Sequence, residues 1–481
     1  MNRRHLFAFV SLSVAVAVVA ACSSSSKSSS SSQKPAAATA APATSTSAAP
    51  INPANLGTGV TPTTIKIGVS LVDFTCIQQF VTQIRQNQQQ IYQDFINNVN
   101  QHGGVDGKQL VPVYHTFCPI GSTGALTECT QFTEDDHVFA VIGTFVDFSG
   151  DAQTCLAKDH NTPLMTFQLS QAIMNQSPPG MIIEPGFVPE RVDGVLMSLL
   201  DKQGTLTGKK VAILGEQDTQ NSINAALVPA LQKYNVQTGS TAILNITGTD
   251  TSAAQEQLDS FIEKWKTEHV NAVFVSGTQV LANQFIDKVV AGLPGVTLVT
   301  DTDATVTMTY GKQETKAGKK PNSYEGMLTA AGPTAKEYDQ SDNWKYCANI
   351  YQQQTGMVAP NAEAVIPLPN GKTLDTYGTI NDSCELVTMF HDIAAKVGPE
   401  LNVTNWLSTV NNYGTITDRG GGQYASLHTG HYDVQDSFRL EEFDSSLPPE
   451  GDRVPVAFRR DRRVELLEPE RVLHVVMARV Q

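Results

Sequence analysis

The chain between residues 64 and 117 has first the hydrophobic period of a strand and then that of a helix. Ile65, Ile67 and Val69 alternate with other residues, which predicts a buried strand. The next apolar positions recur at steps of three, four or seven, as on one face of a helix: Val81, Ile84, Ile91, Phe95 and Val99. Because a second apolar strand is predicted at 110–114, the segment predicts a right-handed βαβ unit with parallel strands.

Short apolar segments and helical patterns then alternate in two runs. The predicted strands are 138–142, 164–167, 210–214, 272–275 and 296–300. The predicted helices are 150–160, 190–202, 222–234, 253–267, 280–291, 334–354, 379–397 and 402–411. Alternation of this kind is typical of a doubly wound α/β fold, and its repetition predicts two lobes.

Three motifs identify a resemblance to a known family. The residues are Phe-Ile-Asn at 95–97, Gly-Gly-Val-Asp-Gly-Lys at 103–108 and Val-Phe-Ala-Val-Ile-Gly at 138–143. Their order and spacing resemble the type I periplasmic solute-binding proteins, the leucine/isoleucine/valine and amide receptors of ABC transporters. The resemblance covers about residues 64–444. It implies two Rossmann-like lobes joined by three crossover strands, with a ligand cleft between them.

The resemblance also implies domain boundaries. Lobe 1 is expected at 63–186 and 329–424, and lobe 2 at 187–328 and 425–449. A Glu-Pro-Gly break at 184–186 marks the first crossover. The segment Glu-Gly-Met-Leu-Thr at 325–329 resembles the second crossover, and 430–444 resembles the closing hairpin of lobe 2.

The N-terminus predicts export and lipid anchoring. Residues 1–21 have two arginines and a short apolar run, followed by Cys22 in a Val-Ala-Ala-Cys motif that resembles a lipoprotein cleavage site. The alternative is an ordinary signal peptide with an accidental cysteine. Residues 22–62 are rich in Ser, Ala and Pro and are expected to be a disordered tether. The expected location is the extracytoplasmic face of the cell membrane, with the lipid anchor as the contact to the membrane.

The amino-acid composition limits the classes of function that the chain can have. The 481 residues are 41% hydrophobic, enough for two cores, and a formal charge of −14 argues against nucleic acid as a partner. Arginine occurs seven times in 450–481 and six times before it. Two explanations of this tail remain open, namely a frameshifted or recombined end and an appended strand-like extension.

Six cysteines besides Cys22 predict disulfides in an exported protein. The predicted topology brings together the loops or helices that carry them and favours the pairs Cys76–Cys118, Cys129–Cys155 and Cys347–Cys384. A metal site is the alternative, but the chain contains no CxxC motif to support it. No metal and no cofactor are therefore expected.

Ligands of open α/β sheets bind beyond the carboxyl ends of the strands. The candidate ligand-binding residues at those ends are Asp73, Phe74, Thr144, Phe145, Asp147, Gln168, Ser170, Gln217, Thr278 and Asp303. The helix starts near Ser149 and Ser170 present amides suited to a carboxylate, and Asp301 or Asp303 can accept bonds from an amino group. The alternative role for each of these residues is a helix cap or a turn.

One loop departs from the family pattern. Amino-acid receptors of this family carry Ser- and Thr-rich loops here, whereas this chain has Phe145, Asp147 and Phe148. We expect an apolar wall with one acidic group, which favours a larger, more apolar or cationic ligand. In the alternative interpretation both rings lie in the core and Asp147 caps the helix.

Catalytic motifs are lacking. The sequence contains no GxSxG, HExxH, GxxxxGK[ST] or GxGxxG, so an enzyme is not expected. The resemblance implies a substrate-binding protein that delivers a small solute, such as an amino acid, an amide or a related compound, to ABC permease subunits. A ligand-sensing or structural lipoprotein with the same fold and no transport role is the alternative.

Overall fold

A computed structural model of the chain describes residues 52–79, 81, 83–147, 149–245, 251–276, 279–301, 310–332, 335–362, 364–419, 423–447 and 452–455. The predicted signal peptide, Cys22 and most of the tether and tail lie outside these residues, as do Phe148, Thr278 and Asp303. No helix in the described ranges is long and apolar enough to cross a membrane.

The strands of the described residues form two main sheets and two small ones. In chain order they are β1 (Thr64–Val72), β2 (Gln83–Ile84), β3 (Gln109–Phe117), β4 (Ala140–Gly143), β5 (Leu164–Met165), β6 (Ile182–Ile183), β7 (Lys210–Glu216), β8 (Gln237–Leu244), β9 (Ala272–Ser276), β10 (Thr297–Thr300), β11 (Leu328–Ala331), β12 (Ile366–Pro367), β13 (Thr373–Leu374), β14 (Gly414–Arg419), β15 (Gln423–Leu427), β16 (Arg439–Asp444) and β17 (Asp452–Pro455).

Helices connect most of these strands. In chain order they are α1 (Phe74–Ile77), α2 (Gln88–Gln101), α3 (Thr123–Thr130), α4 (Asp151–Thr154), α5 (Gln171–Met174), α6 (Pro189–Gln203), α7 (Gln220–Ser222), α8 (Val228–Lys233), α9 (Ser252–Thr267), α10 (Gln279–Gly292), α11 (Lys312–Lys316), α12 (Ala335–Tyr338), α13 (Asp342–Thr355), α14 (Thr376–Val397) and α15 (Val403–Asn411). Single π-helical turns extend α3 and α4 and connect α7 to α8.

Lobe 1 is built on a parallel sheet with the order β3-β1-β4-β5-β6. Ile65, Ile67 and Val69 are fully buried on β1, as their alternation predicts. The connection from β1 through α2 to β3 is the predicted βαβ unit, and the parallel pairing of β1 with β3 confirms it. Lobe 2 has the order β8-β7-β9-β10-β11-β16-β17, which is parallel except for the last two strands. The α/β fold with two doubly wound sheets is therefore confirmed.

Two helix predictions are wrong at their boundaries. The helix expected from Val81 begins at Gln88, because Asn87 has a left-handed backbone with φ of 57°. Ile84 lies instead on β2, which pairs with β13. The helix expected over 334–354 is divided into α12 and α13, since the Ser341 side chain caps α13 by accepting a bond from the Trp344 amide at 3.0 Å.

The chain passes between the lobes beside its own return path. After β6, Glu184 pairs with Asp433 in a parallel bridge. The Glu184 amide donates to the Tyr432 carbonyl at 3.0 Å, and the Val434 amide donates to the Glu184 carbonyl at 2.9 Å. The segment where the sequence predicts the first crossover therefore pairs with the returning chain at 432–434.

The predictions of the second crossover and of the closing hairpin need correction. The boundary expected between residues 328 and 329 falls inside β11, which pairs with β10 and β16, so the chain leaves lobe 2 after Ala331. Residues 430–444 do not form a hairpin. Their first part follows the first crossover because its amides bond there, and their second part is β16, which pairs with β11 and β17.

All three predicted disulfides are present and confirmed. The Cα–Cα distances are 5.9 Å for Cys76–Cys118, 6.3 Å for Cys129–Cys155 and 5.7 Å for Cys347–Cys384. The first joins the loops after β1 and β3, and the last joins α13 to α14 inside the lobe 1 core. The first disulfide therefore fixes loops at the carboxyl edge of lobe 1, and the last fixes two helices of its core.

Candidate functional site

The candidate site consists of the loops that follow β1, β4 and β5 in lobe 1 and β7, β9 and β10 in lobe 2. Asp73, Thr144 and Gln168 begin or lie in the lobe 1 loops, and Gln217 and Asp301 follow strands of lobe 2. The two lobes meet where α5 lies against α7. Thr278 and Asp303 lie outside the described residues and stay predictions.

The structure contradicts the expected role of Phe145. Its side chain is fully buried in the lobe 1 core, with its ring centroid 6.0 Å from that of Phe117. Its amide donates to the Thr166 hydroxyl at 2.8 Å, which fixes the backbone so that the ring points inward. The apolar wall expected from Phe145 is therefore wrong.

Asp147 is a local cap and not an acidic group open to a ligand. Its side chain is only 4% exposed. It accepts bonds from the amides of Ser149 and Ala152 at 3.1 and 2.9 Å, and from the hydroxyl of Ser122 at 2.9 Å. These donors occupy the carboxylate before any ligand is present, which supports the alternative interpretation of Asp147 as a helix cap. Phe148, the other ring expected in this loop, lies outside the described residues. Thr144, at the start of the loop, is half-buried, and its amide bonds to Ser70.

The loop after β1 is capped in a similar way. Asp73 accepts bonds from the amide and the hydroxyl of Thr75 at 2.8 and 2.6 Å. These bonds, the hydroxyl one first, lower the pKa of Asp73 below its usual value. Phe74 is half-buried and packs against the lobe 1 core. Asp73 therefore remains ionised at neutral pH at this edge of the sheet.

The loop after β5 holds an exposed polar side chain on a constrained backbone. Gln168 has φ of 65°, which is uncommon for a residue other than glycine, and its side chain is exposed. The next amide, that of Leu169, donates to the Glu184 carboxylate at 3.0 Å. Ser170 caps α5 by accepting a bond from the Ile173 amide at 3.2 Å. Strained backbone of this kind is concentrated at functional sites, which supports Gln168 as a ligand contact.

Glu184 was not predicted from the sequence. Its carboxylate is 2% exposed and also accepts a bond from the Gly186 amide at 3.1 Å. Burial raises the pKa of Glu184 well above its ordinary value, although its two amide partners oppose the shift. The crossover thus carries a buried acid that fixes the loop after β5. The only sequence signal was a glutamate at the predicted break between lobes.

On the lobe 2 side, Gln217 is exposed in a short 3₁₀ turn at Gln217–Thr219. The Thr219 hydroxyl donates to the carbonyl of Ser276 at 3.0 Å and so connects the ends of β7 and β9. Gln217 therefore lies at the carboxyl edge of the sheet, as predicted, on a turn that is held by its neighbours.

Buried acids underlie this edge of lobe 2. Asp193 on α6 and Asp301 after β10 are 1% and 2% exposed, and their side chains share a hydrogen bond. Burial raises the pKa of Asp301 to about 7 and raises that of Asp193 well above its ordinary value. Asp301 was a predicted acceptor for an amino group, whereas Asp193 was missed because its helix periodicity marks it only as a core position.

Two other features do not provide a site. His160 lies close to Cys129 and Cys155, but a disulfide leaves no thiolate to bind a metal. A cavity of about 240 Å³ lies at the amino ends of β7 and β8, the edge opposite to the candidate site. Its apolar lining consists of Met197, Leu206, Tyr234 and Val236.

Comparison with known proteins supports the fold. No protein-family model and no curated protein matches the sequence. Solved structures match over most of the chain. A solute-binding protein of an ABC transporter from Rhodopseudomonas palustris BisB5, in complex with 3,4-dihydroxybenzoic acid, has 14% identity and a TM-score of 0.56, covering 82% of this chain and 96% of that chain.

Two further structures are similar to the same extent. A fatty acid ABC transporter substrate-binding protein from Thermomonospora curvata has 15% identity, a TM-score of 0.56 and coverage of 83% and 93% of the two chains. A leucine-binding protein from Thermotoga maritima MSB8 has 12% identity, a TM-score of 0.56 and coverage of 81% and 99%. At these identities the likeness establishes a shared fold.

Proposed function

We propose that this chain, which has the fold of the type I periplasmic binding proteins, is the substrate-binding protein of an ABC importer. The observation that carries the proposal is the pair of doubly wound sheets joined by paired crossover segments, with polar loops at their carboxyl ends. The solved structures that share this fold include proteins described as binding leucine or in complex with an aromatic acid. The proposed ligand is a small solute such as an amino acid, an amide or a related compound.

The proposed mechanism is closure of the lobes on the solute. A solute that contacts both lobes only in the closed state shifts the population toward that state. Gln168 and Ser170 would contact it from lobe 1 and Gln217 from lobe 2, with Asp73, Phe74 and Thr144 at the edge of the site. Thr278 and Asp303 remain proposed contacts on the lobe 2 side. ABC permease subunits would receive the solute from the closed protein.

A ligand screen tests the proposal. The melting temperature of the full chain is measured with amino acids, amides, aromatic acids and polyamines. A solute at one hundred times its Kd stabilises the folded state by about 2.7 kcal/mol, which raises the melting temperature. The proposal predicts such a rise for at least one class, and a flat response to all four classes would contradict it.

Lipid anchoring through Cys22 is part of the proposal. It rests on the Val-Ala-Ala-Cys motif and the tether that follows it. A Cys22→Ser variant should lose membrane association and keep the folded body, because the disulfide cysteines are untouched. Membrane fractionation of the variant and the parent measures this, and equal membrane fractions would exclude the anchor.

A further inference from the structure

The first turn of α6 in lobe 2 bonds directly to a loop of lobe 1. The carboxylate of Glu190 accepts bonds from the backbone amides of Gln171 at 2.9 Å and Ala172 at 3.4 Å. These two residues begin α5, which lies between strands β5 and β6 of the lobe 1 sheet. The Glu190 carboxylate in lobe 2 thus accepts hydrogen bonds from two backbone amides of lobe 1.

The same carboxylate is held by a second segment of lobe 2. The Ser222 hydroxyl on α7 donates to it at 2.7 Å, and Ser222 is buried. Because α5 also lies against α7, one side chain joins the segments at which the lobes meet. Hydrogen bonds to a charged acceptor are roughly twice as strong as neutral ones, so this contact favours the observed arrangement.

The surroundings fix where Glu190 points. Arg191, the next residue, pairs with Asp433 at 2.5 Å on the return crossover, which anchors the same helical turn. The buried acids Asp193 and Asp301 lie near enough for their charges to oppose that of Glu190. The Ser222 hydroxyl and the amides of Gln171 and Ala172 are the compensating donors that the contacts show.

We propose that Glu190 is an interlobe clasp, a carboxylate that bonds to the loop after β5 and stabilises the observed arrangement of the lobes before any solute binds. The clasp occupies the amides of Gln171 and Ala172, so a solute does not bond to them in this arrangement. This inference rests on the contacts between lobes and does not require that the chain serve a transporter.

The test measures the distance between the lobes without solute. Spin labels are attached through non-canonical side chains at Ile120 in lobe 1 and Asn245 in lobe 2, both exposed, so that the disulfides stay intact. In Glu190→Gln, one side-chain oxygen is replaced by an amide group that cannot accept a bond. We expect a broader distance distribution, with the population that departs from the observed arrangement about tenfold higher than in the parent, the equivalent of ~1.4 kcal/mol.

The matched control is Glu256→Gln, which removes the same charge from an exposed position on α9 and should keep the parent distance. Ser222→Ala removes one of the donors and should broaden the distance distribution by a smaller amount. Circular dichroism checks folding, and Ser222→Ala decides the outcome if Glu190→Gln does not fold. Parent-like distances in the folded variants would overturn the clasp, whatever the ligand screen finds.

Discussion

Glu128 is a buried acid in lobe 1. It lies on α3 with 2% exposure, and the Ser70 hydroxyl donates to one of its oxygens at 2.5 Å. Its other oxygen has no partner within the described part of the chain. Burial raises the pKa of Glu128 to about 8, against the smaller effect of the Ser70 bond. The folded protein therefore retains a proton that the unfolded chain releases at a lower pH.

A Glu128→Gln substitution should change how stability depends on pH. Because the folded pKa is raised, the parent loses stability as pH rises from the unfolded value of Glu toward about 8. The Glu128→Gln variant has no carboxyl group to ionise at this position and does not lose stability in this way. Relative to the parent, its free energy of unfolding should therefore rise across this pH range, by on the order of a few kcal/mol at the upper end. Urea unfolding at several pH values measures the difference.

Asp135→Asn is the control, since Asp135 is an exposed acid in the same lobe. Its pH dependence should follow that of the parent. A constant difference between Glu128→Gln and the parent across the whole pH range would contradict the proposed ionisation of Glu128.

Individual residues show which structural features the sequence predicts and which it does not. The alternation of Ile65, Ile67 and Val69 indicates burial because neighbouring strand positions face opposite sides. Phe145 and Asp147 lie in a loop, where no hydrophobic periodicity indicates which side a residue faces. The sequence therefore could not distinguish a buried ring and a helix cap from side chains that contact a ligand. The proposed role of Glu190 depends on its contacts with α5, the preceding helix of the chain, and no periodicity of the sequence indicates those contacts.

Secondary-structure elements likewise include some that the sequence predicts and some that it does not. Most strands of the two main sheets were predicted because each is a run of apolar residues between turn signals, namely β1, β3, β4, β5, β7, β9 and β10. Strands β8, β16 and β17 were not predicted, because polar residues interrupt them. The pairing of β2 with β13 was not, since each is two residues long and depends on a partner about three hundred positions away along the chain. The disulfide pairs were predictable because parallel topology brings their loops or helices together.

Replacing Cys347 and Cys384 by Ala should destabilise lobe 1. This disulfide closes a segment with a sequence separation of 37 and joins α13 to α14 in the core. Losing it raises the entropy of the unfolded chain, at a cost of about 2–4 kcal/mol. Chemical denaturation of the double variant measures the loss. Peptide mapping of the parent is the check on pairing, and free thiols at these two positions would contradict the account.

The start of the Arg-rich tail pairs with the lobe 2 sheet. Strand β17 (Asp452–Pro455) lies antiparallel to β16, with Val454 opposite Glu442. Truncation after Leu447 should lower the melting temperature, because β16 loses its outer partner and several bonds worth about 0.5–1.5 kcal/mol each. Truncation after Pro455 is the control and should leave the melting temperature unchanged. Equal melting temperatures for the two truncations would show that β17 adds no stability.

At the level of the whole molecule, the proposed function depends on where a solute binds. The two sheets and the crossover follow the fold of known solute-binding proteins, while Phe145 and Asp147, from the loop expected to form the ligand wall, are buried in lobe 1. Gln168 is then the exposed polar side chain that the lobe 1 loops hold in a constrained position. Binding between the lobes therefore predicts that Gln168 contributes to affinity.

Calorimetric titration of the solute that gives the largest thermal shift tests this claim most directly. The comparison is the parent, Gln168→Gly and the control Glu256→Gln. Glycine accepts the positive φ at residue 168, so the variant removes the side chain without adding strain. The account predicts one site per chain, an affinity about tenfold lower in Gln168→Gly, equivalent to ~1.4 kcal/mol, and no change in Glu256→Gln. Unchanged affinity in Gln168→Gly would contradict binding between the lobes at this loop.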